Sequence, residues 1–399
     1  MKTLHFRNSC FLSITNSIVG VIAVVYSYLN TNVLEVGDKC GFDGRIYCLM
    51  SKGDVVFEPY NRRTFLPYLA GFIKFNELYL NFYLLNILFL TISIILLILI
   101  LNKLAIRHTM LILSIFMINP HTFRMLFSSP VLVDFLALNL VLLVIYLFLG
   151  DLGYGKNIVL IGALTILIFV RENISITFIF ASLIVNIVLF FQKKIAKKRL
   201  VFITFQFIYF SIITFIAFLQ PKIEAPDYIP KTEILEVIKY WSLEIVASSD
   251  NFIRFVYLVI FGLGIFGITG IMNYKIIFRE NAQLKTIYLF STLLLLTSLV
   301  LGGDTARILL IPGIIFTLLF FNEARFINNL FFLICLNLAL WAPWVYSTGT
   351  EESFLTVYGQ RYLDTNVALD QFTQFLIVGL LLYVVQYFVS AVLKRSIPR

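Results

Sequence analysis

Charge is scarce in this chain: Asp, Glu, Lys and Arg make up 13% of its 399 residues. An ordinary soluble domain carries about 25%, so that class is set aside at once. Histidine is scarcer still. The three present, His5, His108 and His121, are scattered and leave no metal-ligand spacing. There is no G-x-S-x-G elbow and no P-loop. The run GLGIFG at 262–267 has the G-x-G-x-x-G spacing, but it lies inside an apolar segment with no strand ahead of it, so it reads as helix packing. Neither a Pro/Gly/Ser-rich linker nor a long charged tract divides the chain, and 1–399 reads as a single membrane-embedded domain.

What fills the space is hydrocarbon. Hydrophobic residues make up 60% of the chain, Phe alone numbers 41, and the mean hydropathy is +0.93. A bilayer core needs roughly 20 apolar residues per helix, and fewer where neighbours bury the segment. About twelve segments of that kind occur, at 10–30, 80–101, 109–119, 130–149, 158–170, 174–191, 200–219, 253–272, 286–301, 308–321, 330–346 and 372–392. The expected fold is therefore an all-α polytopic integral membrane protein. The first segment follows Lys2 and Arg7 but lacks an A-x-A cleavage site, so a retained span is expected.

Orientation follows from the basic loops. Placing QKKIAKKR, 192–199, in the cytoplasm puts both termini there and puts loops 31–79, 220–252 and 347–371 outside. All 22 acids except Asp151, Glu280 and Glu323 then fall on or near the external face. The formal charge of +9 belongs on this reading to loops and lipid headgroups, and nucleic acid is not an expected partner.

The first external loop holds Arg45, Lys52, Arg62, Arg63 and Lys74, against the positive-inside bias. Solvation at the surface is one cause; an anionic ligand at the membrane edge is the other, and the adjacent Arg62 and Arg63 suit bidentate phosphate binding. Further charges interrupt apolar runs. Asp134 lies just inside the fourth segment, where Ser128, Ser129 and Pro130 also make a helix start that Asp134 would cap. Arg171 and Glu172 break the run around them, as a structural ion pair at a helix break or as functional groups. Asp304 and Arg307 occupy a polar hairpin tip between two segments or a third functional pair.

Transfer of a group from a phosphate leaving group to a hydroxyl needs a carboxylate to take the acceptor proton and positive charge to stabilise the departing phosphate. Asp43 with Arg62 and Arg63 supplies both, and Asp38, Asp54 and Glu58 compete for the base position. Gly41 and Gly44 favour Asp43 by allowing a tight turn around it. Cys40 and Cys48 flank it, as a disulfide or as two free thiols. In loop 220–252, Ile234, Ile238, Trp241 and Ile245 recur at helical spacing beside Glu233, Glu236, Lys239 and Glu244, which describes an interfacial helix. Loop 347–371 is polar and carries Tyr358, Arg361 and Tyr362, its tyrosines open to ligand stacking or the whole loop simply solvated.

In chain order, GFDGRIY, NRRTFLP, NPHTFRMLFSSPVLVD and VREN resemble the GT-C superfamily of polytopic glycosyltransferases, and the late GGDTAR is similar to a motif of its bacterial members. The resemblance is best over about the first 190 residues and thins afterwards. It implies a long first external loop with interfacial helices, and transfer of a sugar from a polyprenyl-phosphate donor to a glycan or glycolipid acceptor outside a bacterial inner membrane. It implies Asp43 as catalytic base, with Tyr47, Arg62, Arg63, Asp134, Arg171, Glu172, Asp304 and Arg307 as the substrate-binding set. Members with two adjacent acids differ from this chain, where Gly44 follows Asp43. No organic cofactor is expected, and a carboxylate-bound divalent ion stays open. The rivals are an O-antigen or capsule polymerase working through external arginines, a lipid-linked oligosaccharide flippase, and a purely structural membrane protein.

Overall fold

The structure, a computed structural model, describes residues 38–40, 44–73, 77–106, 109–119, 122, 131, 133–150, 153–224, 239, 242–243, 245–278, 281–301, 309–322, 330–345 and 365–396. They form thirteen helices, with no strand among the described residues. Two short helices come first, α1 (Gly44–Ser51) and α2 (Phe65–Phe72), joined through a 3-10 turn at Tyr60–Arg62. The apolar series follows: α3 (Leu78–Lys103), α4 (Thr109–Ile118), α5 (Asp134–Phe148), α6 (Tyr154–Ile168), α7 (Glu172–Phe191), α8 (Lys197–Phe218), α9 (Ser249–Ile271), α10 (Ala282–Leu301), α11 (Leu310–Asn322), α12 (Leu330–Val345) and α13 (Thr365–Ser396).

Each of these falls on one of the apolar segments expected from the sequence, and the segment at 10–30 lies outside the described residues. Length sorts them further. Five helices, α3, α7, α8, α9 and α10, are long and apolar enough to cross a membrane. At 15 residues α5 and α6 reach only ~22 Å, short of a bilayer core of about 30 Å, so the count of about twelve spans is not shown helix by helix. The stretch 347–371 also differs from a plain loop, because α13 begins within it at Thr365.

Helices α5 and α11 form the centre. From Phe135 to Phe148 nearly every α5 side chain is buried, and so is every one from Leu310 to Phe321 in α11. A helix buried all round can be short, because neighbouring helices rather than lipid surround its ends. Helix α8 turns an apolar face outward, with Phe205, Ile208, Ile212 and Phe215, and Leu219 just past its end, exposed at helical spacing. Such a face is compatible with a membrane-embedded protein.

Polar side chains stitch the interior together by donating to carbonyls of neighbouring helices. Asn139 donates to Phe89 O at 3.3 Å, Ser175 to Leu164 O at 2.9 Å and Ser291 to Pro312 O at 3.3 Å. The GLGIFG run packs helices, as its setting implied. Gly267 of α9 lies so near Gly313 of α11 that a Cβ on it would come within 3.3 Å of the Gly313 Cα, and a Cβ on Gly270 would strike the Phe316 carbonyl. At Gly264 the helix breaks, with φ 68°. Two side chains of α12 satisfy the backbone freed there: Trp341 donates to Phe261 O at 3.1 Å, and Asn337 accepts from Ile265 N at 2.9 Å.

Candidate functional site

The first contact that builds the site is a backbone one. Phe65, the opening residue of α2, has an N–H with no partner inside its own helix and donates it to Phe169 O in the turn between α6 and α7, at 3.2 Å. That bond seats the 3-10 turn and Arg63 on the start of α7. A second tether comes from beyond α8: Asn61 donates to Gln220 O at 3.1 Å, and Ile223 N to Val56 O at 3.4 Å. Three stretches distant in sequence thereby meet at one end of the bundle.

Charges then interlock. Arg62 lies 3.1 Å from Glu58 and 3.8 Å from Glu172, and Arg63 lies 3.8 Å from the other Glu172 oxygen. Lys222 closes on Glu58 at 2.7 Å. Behind them Arg171 pairs with Asp134. Both arginines of the inner layer are deeply placed, Arg62 at 6% exposure and Arg171 at 8%. The guanidinium of Arg62 stacks over the Phe218 ring at 3.6 Å, and Arg63 donates to the Tyr47 hydroxyl at 3.2 Å.

Helix termini favour this sign pattern. Asp134 and Glu172 are the first residues of α5 and α7, where the helix dipole stabilises a carboxylate. Burial works against the charge of Arg63, yet Tyr47 and the Glu172 carboxylate outweigh it and hold its pKa above the ordinary arginine value. Glu58 is held below the usual glutamate value chiefly by the hydrogen bond from Lys222; burial opposes this, and Arg62 adds to it. Lys222, Arg62 and Arg63 against Glu58 and Glu172 leave one positive charge in excess. Several atoms here are buried with no hydrogen-bond partner, among them Nε of Arg62, Arg63 and Arg171 and Oε2 of Glu172. An oxyanion or a water at this point would meet unfilled donors.

Tyr47, Arg62, Arg63, Asp134, Arg171 and Glu172 therefore come together as one group. Asp43, Asp304 and Arg307 lie outside the described residues, as do Ile234, Ile238, Trp241, Tyr358, Arg361 and Tyr362. The pairing differs from a local ion pair at the helix break. Arg171 and Glu172 turn to different partners, because Arg171 caps α7 in an extended conformation while Glu172 is already helical. Asp134 likewise starts α5 but is engaged by Arg171 instead of closing a cap. Gly44, the first residue of α1, packs closely: a Cβ there would meet the Val131 Cβ at 2.8 Å, while the turn around Asp43 lies outside the described residues.

The alternatives for Cys40 and Cys48 resolve to a disulfide, with Cα atoms 6.5 Å apart. Among the described residues no three His, Cys, Asp or Glu side chains gather as metal ligands. Sequence reasoning missed Asn61 and Lys222. Lys222 had a faint signal, a proline followed by a cation directly after an apolar run. No protein-family model matches the chain, and no curated protein matches it.

Proposed function

We propose that the chain is a polytopic membrane glycosyltransferase of the GT-C arrangement with about twelve spans. On this reading it passes a sugar from a polyprenyl-phosphate donor to a glycan or glycolipid acceptor at the external face of a bacterial inner membrane, with both termini cytoplasmic. The observation that carries the reading is the convergence of Arg62, Arg63, Glu172, Arg171, Asp134 and Tyr47 at one end of an all-helical bundle. Residue 43 stands one position ahead of α1, the helix that brings Tyr47 to Arg63. The Cys40–Cys48 disulfide supports an oxidising compartment for this end.

Asp43 is the general base for the acceptor hydroxyl. Arg62 and Arg63 stabilise the departing phosphate, which exchanges with Glu172 for their unfilled donors. Tyr47 fixes Arg63, and the Asp134–Arg171 pair holds the start of α7 in place. The three buried or half-buried arginines also favour the rival reading, a polysaccharide polymerase that works through arginines alone.

Asp43→Asn separates the two. Membranes supplied with labelled polyprenyl-phosphate sugars should lose about 10²–10⁴ in transfer rate in this variant, with insertion and thermal stability retained. Near-normal transfer in Asp43→Asn, together with loss in Arg63→Lys, would replace the GT-C reading by the polymerase one.

A further inference from the structure

Helix α1 has two working faces. One carries Tyr47 toward Arg63. On the other, Arg45 and Cys48, with Lys52 in the turn just past the helix end, line a separate open cavity of about 510 Å³, within the size range of small-ligand sites. Asp38, Lys39, Glu77 and Tyr79 complete its polar wall. Arg45 and Lys52 are exposed to it, and neither side chain forms an ion pair among the described residues. Lys39 lies over the Tyr79 ring at 5.2 Å.

The wall is also held in a costly shape. Asp38 and Lys39 both adopt left-handed backbone, φ 56° and 62°, a conformation disfavoured for a side chain like that of lysine. The adjacent Cys40–Cys48 disulfide ties that turn to α1. Strain maintained beside an open, charged cavity is the usual mark of a binding surface rather than of packing.

We infer that this cavity binds an anionic saccharide, one bearing a carboxylate or phosphate. The oxyanion pairs with Arg45 and Lys52, and the Asp38 and Glu77 carboxylates accept from sugar hydroxyls. Mixed signs select this class: a phospholipid phosphate would use the cations but brings few hydroxyl donors for the acids. The ion-paired cluster differs from it, because Arg62 and Arg63 already face Glu58 and Glu172 and present only their unfilled donors. Resting on the transferase reading, the cavity is the acceptor site, since its wall runs through Cys40 and Arg45 on either side of position 43.

The test uses the whole chain in phosphatidylcholine nanodiscs and reads binding without turnover. The probes are tetragalacturonate, glucose 6-phosphate and neutral maltotetraose. At least one anionic probe should bind about tenfold or more tighter than the neutral one, and Arg45→Gln with Lys52→Gln should abolish that preference without moving the thermal midpoint. Equal affinity for all three probes overturns the inference, as does a preference that survives the double substitution. Phosphatidylglycerol in the nanodisc should leave the preference intact; its loss would assign the cavity to lipid headgroups. Asp43→Asn keeps the preference if the inference holds, so loss of the transferase reading and loss of this one register separately.

Discussion

At one end of the bundle Lys193 and Lys194, between α7 and α8, and Lys197, Lys198 and Arg199, in the first turn of α8, stand exposed, with no ion pair to another described residue. At the other end Arg62 and Arg171 are buried, and every ion pair between described residues is found there. The basic end ties its helices together sparingly, as where Lys103 donates to Tyr146 O at 2.9 Å and Gln283 to Gly150 O at 3.3 Å. Solvated cations need no partner and restrain little; buried ones must be matched and therefore fix the elements that carry them. A protein that needed charge only for topology could do so with the first kind alone. The second kind is what a site for charged chemistry requires.

The largest test of this contrast removes one buried partner. Asp134→Ala leaves Arg171 buried with no carboxylate opposite and should destabilise by about 3–5 kcal/mol, read as a drop in the thermal midpoint in detergent. Lys197→Ala, at the basic end, should stay within about 0.5 kcal/mol. Replacing both partners at once, Asp134→Leu with Arg171→Met, should be far milder than the single change, because no uncompensated charge remains. Equal effects at the two ends would break the comparison.

Covalent restraint is one-sided too. Cys40 and Cys48 close a loop of separation 8 at the ion-paired end, and a loop that short should contribute about 2–3 kcal/mol through the unfolded chain. Cys40→Ser with Cys48→Ser, or a reductant, should speed amide exchange in α1 while leaving the start of α8 unchanged. Acceleration at both ends alike would mean that the disulfide holds the bundle as a whole and not this loop.

The longest helices were legible because their apolar runs are continuous and open beside charge, as with Leu78–Lys103 after Glu77 and Lys197–Phe218 after the lysines of its own first turn. Pairing was not. Which carboxylate meets Arg171 depends on the approach of α5 to the α6–α7 turn, 37 residues away in sequence, and nothing local distinguishes Asp134 from the neighbouring Glu172. Glu58 looked like one more loop acid competing for a proton; the tether from Asn61 to the end of α8 is what brings Lys222 to it. The close approach of Gly44 to Val131, from a distant stretch, left no trace in the local sequence. Composition reveals that charge is unevenly placed, and only tertiary contact reveals which charges are committed.

The smallest expected effect lies at the rim of the ion-paired end, where the two kinds of charge meet. Glu58 is only partly shielded and its partner Lys222 is 55% exposed, so solvent screens the contact and its worth should stay below about 1 kcal/mol. Its sign is nevertheless fixed. Lys222 first, against the opposing pull of burial, and then Arg62 depress the Glu58 pKa in the folded state, so the unfolded chain holds the proton more tightly. The contribution is therefore fully present above the ordinary glutamate pKa and fades as pH falls through the depressed folded value. Glu58→Gln should lower the thermal midpoint slightly at neutral pH, and the gap to the unaltered chain should shrink below about pH 4. Lys194→Gln at the basic end should show no such pH-dependent gap, since no carboxylate among the described residues pairs with it. A Glu58→Gln gap that stays constant from neutral to acid pH would mean that this carboxylate acts through packing, and the contrast between the two ends would then rest on the buried pairs alone.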